Sequence, residues 1–139
     1  MSGERTTSAF DARRVGDTFE FVTDAVTTQQ LVRYAGASDD YNRIHYDQPY
    51  AIDAGLGGIV AHGMLTMAFM ARAAGEFAGA GGRVTHVAAR FTAPVRPGDQ
   101  VHVTGTVTAV ARDGLRGELQ CQLSADVAGR VVATGDATL

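Results

Sequence analysis

The sequence contains no lysine, no tryptophan and only 3 prolines, and Cys121 is its one cysteine. A single thiol excludes an intramolecular disulfide framework and a cysteine-based zinc site. Positive charge comes only from 12 arginines, which are scattered and outnumbered by 15 acidic residues, so the net charge is −3. Because the sequence has no basic patch, we expect no nucleic-acid partner.

Long apolar runs are also missing. The longest nearly apolar run, residues 59–71, is too short to span a membrane, and the polar segment 1–9 does not resemble a signal peptide. We therefore expect a cytoplasmic protein with no membrane partner. An apolar content of 45% with 19% charged residues argues against disorder, and 139 residues fit one domain at roughly 150 residues per domain.

Patterning predicts an α+β domain at residues 15–139 behind a flexible leader at 1–14. Thr27, with Gln30 as its capping-box partner, predicts the start of a first helix that ends at Gly36. A second helix is expected at 59–77; it is apolar on nearly every side, which is typical of a helix enclosed by protein. Strands are predicted at 18–22, 84–92, 101–112, 115–127 and 130–139. One antiparallel sheet curled around a central helix satisfies this order.

The most specific pattern lies in the polar loop between the helices. Residues 34–45 read YAGASDDYNRIH, and Ala51 follows. This segment resembles the hydratase 2 signature of the MaoC-like family, in which Ser-Gly-Asp-x-Asn-Pro-Ile-His is followed at a fixed distance by Ala. The segments AHGMLTM at 61–67 and RFTAPV at 90–95 resemble the start of that family's central helix and its first long strand.

The resemblance covers residues 15–138 and implies the hot-dog fold. It is strongest to (R)-specific enoyl-CoA hydratases and single-domain (3R)-hydroxyacyl-thioester dehydratase subunits. It implies reversible hydration of trans-2-enoyl thioesters of CoA or acyl carrier protein, with no cofactor. In the family the residues matching Asp40 and His45 hold one catalytic water, and we expect these two to supply the acid and the base in an order that stays open.

Further site residues follow from the same segments. Gly63 is expected to offer its backbone N–H to the thioester oxygen, because first-turn amides of a helix lack intrahelical partners; a tight helix–sheet contact is the alternative. Asn42 is expected to bind substrate or to hold the loop. The other expected substrate-binding residues are Ala61, His62, Met64 and Leu65, with a structural role as the alternative for His62. The His and Asp spacing lacks a metal-ligand pattern, so we expect no metal.

The chain departs from the family signature twice. Asp39 replaces the glycine before the catalytic Asp, and aspartate tolerates left-handed backbone better than most residues. Arg43 replaces the proline, which is predicted to loosen the loop. The glycines at 55–58 are predicted to form a flexible lip of the substrate tunnel.

Two other functions compete with the hydratase. One is a hot-dog acyl-CoA thioesterase, which usually relies on a carboxylate on or near the central helix. Glu76 is the only acidic residue of that helix here and lies far along it, which counts against a thioesterase. The other is an acyl-thioester-binding subunit of a heterodimeric dehydratase. An uncovered sheet edge favours pairing with another chain, so we expect a homodimer, with a heterodimer of related hot-dog subunits as the alternative.

Overall fold

A computed structural model describes residues 9–114 and 116–139. Its five strands form one antiparallel sheet in the order β1-β3-β4-β5-β2. The elements are a 3₁₀ turn Ala9–Ala12, β1 Thr18–Val22, α1 Thr28–Ser38, a 3₁₀ turn Arg43–His45, α2 Gln48–Asp53, α3 Gly63–Ala78, β2 His86–Phe91, β3 His102–Asp113, β4 Arg116–Val127 and β5 Arg130–Thr138. The sheet curls around α3, which confirms the predicted α+β hot-dog fold. Within the described residues, no helix has the length and apolar character needed to cross a membrane.

The core lies between α3 and the inner face of the sheet. On α3, Leu65, Phe69 and Ala73 recur every fourth residue and are buried. Alternating strand residues cover them, as expected for a sheet with one buried face; those in the main cluster include Val103, Leu123, Ala125, Ala133 and Ala137. The opposite stripe of α3 is exposed and begins with Met64, which is 57% exposed. The expectation that protein encloses this helix on nearly every side is therefore wrong for the single chain.

The helix boundaries differ from the predicted ones at two places. Thr27 caps α1 as predicted, its Oγ1 accepting from the amide of Gln30 at 3.1 Å. The helix then runs through Gly36 to Ser38 and ends at Asp39, which takes a left-handed conformation with φ 56°. Residues 59–62 are extended rather than helical because the Ala61 amide donates to a carbonyl of the neighbouring 93–101 connection, so α3 begins at Gly63.

The predicted leader ends earlier than expected. Phe10 packs against the second buried cluster, around Phe77 and Val107. Arg13 donates through Nη2 to the Phe77 carbonyl at 2.8 Å, and its guanidinium lies 3.8 Å from the centre of the Phe77 ring. Residues 10–13 therefore belong to the folded domain. The predicted flexibility of residues 1–8 lies outside the described part of the chain.

Gly105 on β3 provides a test of the packing. Phe19 lies opposite it on β1, and a Cβ added to Gly105 would stand 2.1 Å from the Phe19 ring. Gly105→Ala is expected to lower the free energy of unfolding by about 1–3 kcal/mol, because the ring must move from its stack on Phe77. Urea unfolding measures this change. Thr106→Val, at the next and exposed position of β3, is the control and should stay within about 0.5 kcal/mol of wild type; equal stability of both variants would contradict the prediction.

His102 provides a test of the surface electrostatics. Its Nε2 lies 2.9 Å from Glu20 and its Nδ1 lies 3.3 Å from Asp126, and the hydrogen bond to Glu20 is the main cause that raises the pKa of His102. A raised pKa in the folded state stabilises the fold at mildly acid pH and loses that contribution as pH rises through the folded-state pKa. His102→Gln should therefore be less stable than wild type by up to about 1 kcal/mol at mildly acid pH, with the gap closing above neutrality. Urea unfolding of both proteins at mildly acid pH and above neutral pH measures the difference in stability. A difference that grows as pH rises would contradict the prediction.

Candidate active site

Local turns shape the loop that carries Asp40. After the left-handed Asp39, the Asp40 amide donates to the Ala35 carbonyl at 3.1 Å. The Asp40 carboxylate then accepts from the amide of Asn42, and the Asn42 side chain accepts from the amide of Ile44, each at 3.2 Å. Asn42 therefore caps the 3₁₀ turn Arg43–His45. Of the two roles expected for Asn42, the geometry supports holding the loop.

His45 is 7% exposed, and one backbone bond fixes its ring. Nδ1 lies 2.7 Å from the carbonyl oxygen of Val60. Since a carbonyl only accepts, Nδ1 carries the hydrogen and Nε2 of the neutral ring keeps a lone pair. Nε2 lies 3.9 Å from Oδ2 of Asp40, whose side chain is 51% exposed. This gap is too long for a direct hydrogen bond and suits one bridging water.

His62 lies under His45. It is 2% exposed, and its Nε2 lies 3.2 Å from the backbone carbonyl of Asp40. The two imidazole rings stack with centroids 3.7 Å apart and planes at 21°, and the Tyr34 ring contacts His62 with centroids 4.8 Å apart. Burial is the main cause that lowers the pKa of His62, so its ring is neutral at neutral pH.

The fold brings together side chains that sequence spacing separates. One ligand atom each of Asp40, His45 and His62 lies within 4.8 Å of the others. A metal needs lone pairs that converge on one point at about 2.0–2.2 Å. Here the two imidazole planes are nearly parallel and 3.7 Å apart, so the lone pairs that lie in these planes do not converge on one point, and a nitrogen of each ring already contacts a carbonyl. The cluster suits proton chemistry better than metal binding, and the absence of a metal stays a prediction.

Gly63 is the first residue of α3, where amides have no intrahelical partner and the helix dipole is positive. A Cβ added to Gly63 would lie 3.1 Å from the ring of Phe91, which is itself 45% exposed. Both roles expected for this glycine, an accessible amide and a tight helix–sheet contact, therefore have a structural basis.

The predicted substrate-binding residues divide into two groups. Ala61 and Leu65 are at most 9% exposed and pack in the main core, and His62 is also buried. These three side chains are buried in this chain, and their contact with substrate stays a prediction. Met64 points outward beside Gly63 and stays accessible.

The glycine-rich lip is tied down rather than free. Arg96 donates through Nη2 to the Leu56 carbonyl and through Nη1 to the Gly58 carbonyl, and the Ile59 amide donates to Gln48. Sequence analysis missed Arg96 as a loop anchor. Its position beside Pro97 in a bend was the available signal, but the partners are distant in sequence and only the fold supplies them.

Arg43, which replaces the family's proline, is likewise anchored. Its guanidinium pairs with Asp47 at 2.7 Å and lies 4.3 Å from the centre of the Tyr50 ring. The Arg43 hydrogen bond lowers the pKa of Asp47, and Asp47 raises the pKa of Arg43 in return. The Asp47 amide also donates to the Arg43 carbonyl at 2.8 Å. These contacts join Arg43 to the start of α2, and the loosening of the loop stays a prediction.

With this geometry in place, comparisons identify the family. Residues 11–127 match the MaoC like domain, so the chain belongs to the MaoC-like dehydratase family. It is 32% identical over 115 residues to an (R)-specific enoyl-CoA hydratase of Rhodospirillum rubrum, covering 82% of this chain and 78% of that one. It is 30% identical over 129 residues to a 3-hydroxybutyryl-CoA dehydratase of Methylorubrum extorquens, covering 92% and 80%.

Solved structures show the same fold. An (R)-hydratase from A. caviae superposes with a TM-score of 0.83 at 23% identity, covering 91% of this chain and 96% of that one. The ChsH1-ChsH2 complex from Mycobacterium tuberculosis gives a TM-score of 0.79 at 21% identity, covering 90% and 95%. By its family and curated relatives, the chain is an enzyme of the enoyl-CoA hydratase and 3-hydroxyacyl-thioester dehydratase class, a hydro-lyase.

Proposed function

We propose that the chain catalyses the reversible addition of water to trans-2-enoyl thioesters, giving (3R)-hydroxyacyl thioesters, with Asp40 and His45 as the pair that activates water. One observation carries the proposal. The bond from His45 Nδ1 to the Val60 carbonyl leaves the Nε2 lone pair 3.9 Å from the Asp40 carboxylate. Both groups are hydrogen-bond acceptors, so together they can hold the two hydrogens of one water.

The chemistry follows from this arrangement. One member of the pair takes a proton from the water while its oxygen bonds to Cβ of the enoyl thioester. The π electrons move towards the thioester oxygen, and the pair passes the proton taken from the water on to Cα, so that one water is added in total and both groups return to their starting state. The Gly63 amide at the positive end of α3 stabilises the developing charge on that oxygen. The acid and base roles are shared between Asp40 and His45.

The substrate and partners form the rest of the proposal. The names of the curated relatives point to acyl groups carried by CoA, and carrier-protein thioesters are the related alternative. No cofactor takes part, and the cytoplasm is the proposed location.

The sheet ends at β1 and β2, so a homodimer that covers such an edge is proposed, with a heterodimer like the ChsH1-ChsH2 complex as the alternative. A thioesterase is disfavoured because Glu76 is exposed and paired with Arg72 at 3.0 Å.

The direct test is a hydration assay with trans-2-enoyl-CoA of several chain lengths. Loss of the conjugated-thioester absorbance measures turnover. Asp40→Asn and His45→Ala should each lower kcat by about 10²–10⁴-fold, because each removes one of the groups that move protons. The matched controls are Asp53→Asn and His86→Ala, which make the same chemical changes at exposed positions and should retain activity.

Two results would contradict the proposal. The first is no loss of absorbance at any chain length, and the second is equal turnover by wild type, Asp40→Asn and His45→Ala. Release of free thiol in place of hydration would identify a thioesterase.

Gly63 has its own test, which separates its two roles. Gly63→Ala should lower kcat/KM at least about tenfold because the methyl group obstructs the approach of the thioester oxygen to the amide. The same change is made in a Phe91→Ala background, where the contact with the ring is removed. If the amide matters, the double variant stays slower than Phe91→Ala alone. If the double variant and Phe91→Ala have the same kcat/KM, Gly63 serves only the helix–sheet contact.

A further inference from the structure

His62 belongs to no step of the chemistry above, yet it is among the most buried polar side chains described, at 2% exposure. It is the N-cap residue of α3, but its side chain makes no capping hydrogen bond. Nε2 instead reaches across to the backbone carbonyl of Asp40 at 3.2 Å. A carbonyl only accepts, so Nε2 carries the hydrogen and Nδ1 of the neutral ring is unprotonated.

The second ring nitrogen of His62, Nδ1, is buried, and within the described residues it has no hydrogen-bond partner. An unpaired buried polar atom costs free energy, about 1–3 kcal/mol. Such a cost is tolerated where the same side chain has another role, and it is typical of functional sites.

The contacts of His62 indicate that role. The ring stacks on His45 at 3.7 Å while its Nε2 holds the backbone of Asp40, so one side chain contacts both members of the water-activating pair. It is also bonded directly to Gly63 in the chain. His62 therefore connects the three groups that the proposed reaction requires.

Three neighbouring residues contact the ring of His62 and affect its protonation. They are Tyr34 from α1, Asp40 from the loop and His45 from the 3₁₀ turn. A positive charge on His62 would be desolvated and would lie against the ring of His45. Burial is the largest cause and lowers the pKa of His62, whereas the contact with Asp40 raises it by less, so the ring stays neutral.

We propose that His62 is a positioning residue: a neutral ring that holds the Asp40 backbone through Nε2, supports His45 by stacking, and takes no proton during turnover. The proposal rests on the proposed function, in which Asp40 and His45 activate water. It distinguishes His62 from a third acid or base and from a substrate contact.

Two substitutions separate the donor from the ring. His62→Gln keeps an N–H at a similar reach and cannot titrate, whereas His62→Phe keeps a ring for stacking and loses the donor. His62→Phe should lower kcat about 10- to 100-fold with little change in KM, since misplacement of catalytic groups slows the chemical step. His62→Gln should recover most of that loss. Its profile of kcat/KM against pH should keep every limb of the wild-type profile, because a group that takes no proton contributes none.

Loss of a limb in His62→Gln, with kcat as low as in His62→Phe, would overturn the proposal and make His62 a proton-transfer residue. Full activity of His62→Phe would also overturn it.

A measurement without turnover keeps the proposal separable from the hydratase function. NMR of wild-type protein labelled with ¹⁵N-histidine should show His62 as the Nε2–H tautomer, neutral at pH values where free histidine in the same buffer is charged. An Nδ1–H tautomer, or a charged His62 at neutral pH, overturns the proposal. If His62→Phe does not fold, this measurement decides. If wild type hydrates no enoyl thioester, the proposed function fails while the tautomer and charge of His62 are still determined.

Discussion

The site depends on the hydrogen bond from His45 Nδ1 to the carbonyl of Val60. It is 2.7 Å long and buried, and it determines which nitrogen of His45 keeps the lone pair that is proposed to act on water. A neutral imidazole with the other tautomer would place two acceptors against each other and leave the Val60 carbonyl unsatisfied, at a cost of about 1–3 kcal/mol. One backbone carbonyl thus sets which nitrogen of His45 carries the hydrogen and which keeps the lone pair.

That carbonyl is available only because residues 59–62 are extended. Val60 donates to Ile44 and Ala61 donates to Val95, so this short segment pairs on both sides before α3 begins. Arg96 and Gln48 hold the loop that precedes it. Had the helix begun at Ile59, the Val60 carbonyl would have pointed along the helix axis to the amide four residues on, instead of towards the ring of His45.

This arrangement explains which features were predictable from sequence. The strands and the Thr27 cap follow from local patterns, and Asp40 and His45 followed from the family signature. The start of α3 was predicted four residues early, because apolar residues 59–62 fit a helix and only their tertiary hydrogen bonds exclude it. The anchoring by Arg96 and the contact of Asp40 with His62 join residues distant in sequence, and no local pattern encodes such pairs.

The site also divides into a closed part and an open part. The imidazoles of His45 and His62 are buried within this chain, and every bond that orients them is internal to it. The surface beside them is open and apolar: Met64 is 57% exposed and Phe91, on the edge strand β2, is 45% exposed. The proposed proton chemistry draws on both parts, because it joins the buried imidazole of His45 to the half-exposed carboxylate of Asp40, which the same chain places 3.9 Å away.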